Sequence, residues 1–175
     1  MALADWLRVI DGPGAGGQWA VLDELGTMLD HLRPDGLDRS RSRLAWSPAK
    51  GAPSPSTAVV TLEHRTHDDW SVQIRIEPTS AVIYWLSAHE YIGEHDGSGD
   101  RPWTSVVVDA TAAILRGDYE VEHTTRLGQW YRTRIIDVHG PAVPELLDSS
   151  GPLWFWMLRP FPAKIKRSRV DFTSL

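Results

Sequence analysis

Gly12, Gly14 and Gly17 spell G-x-G-x-x-G between a short apolar piece and a helix-forming stretch. In that setting glycines let the backbone approach a pyrophosphate closely, and a helix N-terminus attracts its charge. Pro13 sits inside the motif and removes one amide donor. The elements that follow are an arginine-rich loop and an antiparallel meander, not a β-α-β succession, and Asp38, near the acidic spacing, falls in a loop. The glycines read first as a flexible turn. Nucleotide or small-molecule binding through Gly12–Gly17 is carried as an alternative.

His64 and His67 with Asp68 and Asp69 have the donor types of a metal site. On a flat strand, residues three apart point to opposite faces, and no third ligand is fixed, so the group reads as a solvated hairpin tip. His89-Glu90 with Glu94-His95 fits neither H-E-x-x-H nor H-x-x-E-H. There is no cysteine and no G-x-S-x-G, and the serines lie mostly in loops beside prolines. Glu120 and Glu122 share one strand face and have the types of a carboxylate pair. Two alternating glutamates on a hairpin read as a wet face, and His123 reads as packing behind the sheet. No catalytic set converges, so the expectation is a non-enzymatic chain with no cofactor and no metal.

The elements that must position these residues are legible from periodicity. Leu22, Leu25, Leu29 and Leu32 recur at three and four, with Trp19 and Met28 flanking, and predict a helix over 18–33 that Pro34 stops. Leu44-Ala45-Trp46 is an apolar island, read as a short edge strand. Strands follow at 58–65, 70–77 and 81–86, the second alternating Val72, Ile74 and Ile76 with polar residues, the third apolar and central. Short turns make them an antiparallel meander. Residues 93–102 read as an exposed loop. A helix over 103–116 has Pro102 at its entry and Gly117 at its exit. Residues 119–125 and 130–138 form a hairpin around Leu127-Gly128-Gln129, and 139–152 a Pro/Gly loop. The expected fold is a single α+β domain over 1–175: a largely antiparallel β-sheet, meander plus hairpin, with two main helices packed on it. Residues 1–17 form an N-terminal segment with the Gly-rich loop. Residues 160–175 form a basic C-terminal tail with Lys164, Lys166, Arg167 and Arg169, read as a solvated terminus or an intramolecular contact.

The chain has 175 residues and a formal net charge of -5. That charge disfavours general nucleic-acid binding, which needs cations to displace counterions. No run of about 18 apolar residues is present, so no membrane partner is expected. The N-terminus lacks the basic start and apolar core of a signal peptide, and the expected location is the cytoplasm.

Nine tryptophans remain to be explained. Trp19, Trp70, Trp85 and Trp103 fall on expected core faces. Trp46, Trp130, Trp154 and Trp156 do not. In a strand over 153–158, Trp154 and Trp156 share one face, which is either buried or meets a partner or a second copy. With its acidic body, the hairpin Trp70–Leu86 and the acidic loop Glu94–Asp100, the chain resembles in build the immunity proteins of bacterial polymorphic toxin systems. The resemblance implies a small α+β protein that binds a cognate protein toxin, of nuclease or NAD-consuming type, and occludes its active site. His95, Asp96, Gly97, Asp100 and Arg101 would enter the toxin's basic cleft, with Asp68, Asp69, Trp154 and Trp156 as further partner contacts. A secretion chaperone, an adaptor or a homodimeric subunit is the alternative class of binding module.

Overall fold

The computed structural model describes residues 16–47, 57–86, 88–97, 101–139, 147–150 and 162–173. Among them the order is α1 (Gly16–Leu32), β1 (Arg43–Ser47), β2 (Thr57–Glu63), β3 (Ser71–Ile76), β4 (Ser80–Trp85), β5 (Ala88–Gly93), a 3-10 turn (Glu94–Asp96), α2 (Trp103–Arg116), β6 (Tyr119–Arg126), β7 (Gln129–Asp137), β8 (Leu147–Ser150) and β9 (Ala163–Arg169). The fold is α+β with antiparallel sheets, as expected. It differs in having two sheets. The meander β1-β2-β3-β4-β5 is one, and β8-β7-β6-β9 is the other. The hairpin β6-β7 is the centre of the second sheet, not an extension of the first. No helix among the described residues is long and apolar enough to cross a membrane.

Period-two alternation gives the first sheet one buried and one solvent-facing side. Across the strands the buried rows run Ala58, Ile76, Ala81, Ile92; then Val60, Ile74, Ile83, Glu90; then Leu62, Val72, Trp85, Ala88. Every member except Glu90 is buried apolar core. Both helices cover this side. α1 presents Val21, Leu22, Leu25 and Leu29, and Gln18 Nε2 donates to the Ile76 carbonyl at 2.8 Å. Gly17 is needed for this approach, since a Cβ there would lie 2.6 Å from the Pro78 carbonyl oxygen. α2 ends at Gly117, whose φ of 73° is left-handed, and Asp118 N–H reaches back to the Ala113 carbonyl. Glu24 of α1 accepts from Thr104 Oγ1 and Ser105 Oγ in the first turn of α2, where its charge suits the helix dipole.

The basic tail is structured. Residues 163–169 all pair with β6, from Glu120 to Arg126. The chain then places Val170 and Phe172 in the core. Phe172 N–H donates to the Leu115 carbonyl, and its own carbonyl accepts from Gly36 N–H, both at 2.8 Å. The tail thus makes an intramolecular contact as a paired strand, while residues 163–167 along it stay exposed to solvent. Glu122 corrects a second expectation. It is 6% exposed, not on a wet face, because Arg167 of β9 clamps it at 3.0 and 3.1 Å. His64 corrects a third. It is buried rather than part of a solvated tip, with its ring edge-on to Trp70 and Phe172 and its Nδ1 accepting from Thr66 N–H. Buried residues of both sheets and both helices form one cluster.

Candidate functional site

The segment expected to meet a partner begins where β5 ends. Glu94, His95 and Asp96 form one exposed 3-10 turn. Asp96 Oδ2 accepts from Gly93 N–H at 2.7 Å, Glu94 N–H donates to the Thr79 carbonyl, and Gly97 packs against the entry of α2. Arg101 pairs with Asp109 on α2. The turn is therefore anchored at both ends. Beside it stands Tyr91, 55% exposed, with its ring stacked 6.3 Å from that of His95. Sequence reasoning did not single out Tyr91. The clue is its register: it alternates with Glu90 and Ile92, which face the core, so it must face solvent. Glu90, on the core face of this strand, has its carboxyl pushed above the usual range, first by burial and then by the charge of Asp96.

Asp68 and Asp69 lie in the turn between β2 and β3. The 3-10 turn packs instead on residue 79, between β3 and β4. In a meander those turns sit at opposite ends of the sheet, about 20 Å apart for strands of six residues. The two acidic groups are thus not brought together. Asp68, 88% exposed, is engaged by Arg41, which also bonds Asp38 and the His64 carbonyl. Asp100, Trp154, Trp156 and Gly12–Gly14 lie outside the described residues.

A concavity of about 850 Å³ opens between the outer side of β5 and the second sheet. Its floor follows from register. Lys166, His123 and Thr133 form one cross-strand row, and Lys164, Thr125 and Trp130 the next. His89 of β5 faces them. Trp130 Nε1 donates to Thr133 Oγ1 at 2.8 Å. His123 Nε2 lies 2.9 Å from the Leu86 carbonyl, so that nitrogen carries the proton; Nδ1, 3.0 Å from Thr133 Oγ1, then accepts the threonine hydroxyl. His123 is half-buried and lines this cleft, on the face opposite buried Glu122, and its hydrogen bonds fix one wall. Sequence reasoning missed the cleft because its members come from four strands.

Neither a protein-family model, a curated protein nor a solved structure matches the chain.

Proposed function

We propose that this chain is a non-catalytic protein-binding module, acting as an immunity factor that covers the active site of a cognate toxin. The observation that carries this reading is the patch at the end of β5: an exposed Tyr91, stacked on His95 and flanked by Glu94 and Asp96 on an anchored turn. Half-exposed tyrosines are typical binding anchors, because they bury large area at little entropic cost. Surrounding carboxylates favour a basic partner, speed its encounter and penalise acidic competitors. A turn already held by hydrogen bonds loses little freedom on docking. Toxin clefts that bind phosphate are basic, so an acidic, aromatic-tipped projection matches them in charge.

The test is co-expression of the chain with the toxic domain encoded beside its gene. Wild type restores growth, whereas Tyr91→Ala and the pair Glu94→Lys, Asp96→Lys do not, although both variants melt as cooperatively as wild type. Rescue that survives all three substitutions would remove the patch from the account. Absence of any rescue by wild type would remove the immunity role.

A further inference from the structure

We propose that the cleft between the two sheets is a binding site for a nucleotide-sized anion with a planar ring, its charge held by Lys164 and Lys166 and its ring stacked on Trp130. The site shares no residue with the acidic patch and does not depend on the immunity role.

Charge distribution is the first support. The chain carries a net charge of -5, yet among the described residues this cleft is lined by two lysines and two histidines with no carboxylate. The alternation of β9 produces the contrast. Arg167 and Arg169 take one face, where Arg167 is consumed by Glu122. Lys164 and Lys166 take the other, opposite Thr125 and His123. Neither lysine is ion-paired among the described residues. Two unneutralised ammonium groups two residues apart, about 7 Å along a strand, repel each other until an anion bridges them.

Trp130 supplies the second support. It is 40% exposed, a high value for the largest apolar side chain. Its only polar atom is spent on Thr133, so the rest of the ring is apolar, and its plane is set by the Trp130–Thr133–His123–Leu86 series of hydrogen bonds. Such a preformed wall is what small-ligand sites show. Trp130 and Lys164 lie two strands apart in register, which is about 10 Å, the order of distance between a base and its outer phosphate. The cleft of about 850 Å³ is far larger than a bare phosphate needs and within the range of cofactor sites. Ile165, 60% exposed, adds apolar contact at the rim. Two lysines are too few, on so acidic a body, for a nucleic-acid strand.

Isothermal titration of the full chain with ADP, adenosine and pyrophosphate tests the assignment. ADP is expected to bind with one site and to weaken as salt is raised. Lys164→Glu with Lys166→Glu should lower ADP affinity at least tenfold, and the milder Gln pair several-fold should the reversal perturb folding. Trp130→Ala should weaken ADP while leaving pyrophosphate unchanged, and Trp130→Phe should restore most of the loss. The proposal is overturned if ADP, GDP and UDP give no heat at millimolar concentration, if pyrophosphate binds as tightly as ADP, or if a polyglutamate peptide displaces ADP from the lysines at lower concentration.

Discussion

Replacing Phe172 with alanine tests how far the C-terminal segment belongs to the core. The ring is fully buried, edge-on to His64 at 5.0 Å, and Val170 beside it is buried as well. A buried Phe→Ala change costs about 3–5 kcal/mol, transfer and cavity terms together. The site has little room to relax, because Gly36 and Leu115 are tied to the Phe172 backbone by hydrogen bonds of 2.8 Å. A domain of this size has about 5–15 kcal/mol to lose. At about 2–4 °C per kcal/mol for this length, the melting temperature should fall by roughly 6–20 °C. Thermal melts followed by near-ultraviolet circular dichroism read the drop. Hydrogen exchange should show lost protection at the Gly36 and Phe172 amides, while β2, β3 and β4 stay protected. A drop under about 3 °C, with both amides still protected, would return residues 170–173 to the surface.

Glu90→Gln should stabilise the chain at neutral pH. Burial raises the Glu90 carboxyl in the folded state, so the native protein binds the proton more tightly than the unfolded chain, and stability is lost as pH rises from about 4.5 through the folded value. The gain should vanish below pH 4.5, and parallel melting curves for both proteins from pH 4 to 8 would contradict it. His64 behaves in the opposite sense. Burial first, then His67, lowers its pKa from 6.5, with Arg41 opposing its charge and Asp171 favouring it, so the unfolded chain binds the proton more readily and stability falls as pH drops below 6.5. His64→Asn should flatten the melting temperature between pH 6.5 and 5; an unchanged slope would assign it to other groups. Gly17→Ala sets a helix-propensity gain of about 1 kcal/mol against a Cβ 2.6 Å from a backbone oxygen. Overpacking at about 1–3 kcal/mol should win, and a raised melting temperature would show that it does not.

Where local pattern and burial agree, the elements could be read in advance. α2 occupies 103–116 as the Pro102 and Gly117 signals require, and β6-β7 turns through Leu127 and Gly128, both at positive φ. The strands that escaped are those whose pattern is broken by polar residues on both faces or set by distant partners. In β5 the core face carries Glu90 and the outer face His89 and Tyr91, so neither side looks apolar. β9 alternates cations on both faces, and its order comes from β6, with Arg167 meeting Glu122 across 45 residues. β8 lies in a stretch read as a Pro/Gly loop. The same distance hid the cleft: Lys164 and Trp130 meet only through Thr125 between them. The acidic turn was visible because its composition is local; its aromatic anchor was not, because Tyr91 acquires meaning only from strand register.

The immunity reading requires a toxic domain encoded beside the gene, and it is tested most directly by titrating the purified chain with that domain, as wild type and as Tyr91→Ala. A one-to-one complex of nanomolar affinity is expected, weakened about 30-fold or more by Tyr91→Ala, the loss of roughly 2 kcal/mol expected of a central anchor. A complex of the same affinity for both proteins, or no complex at all, would contradict it.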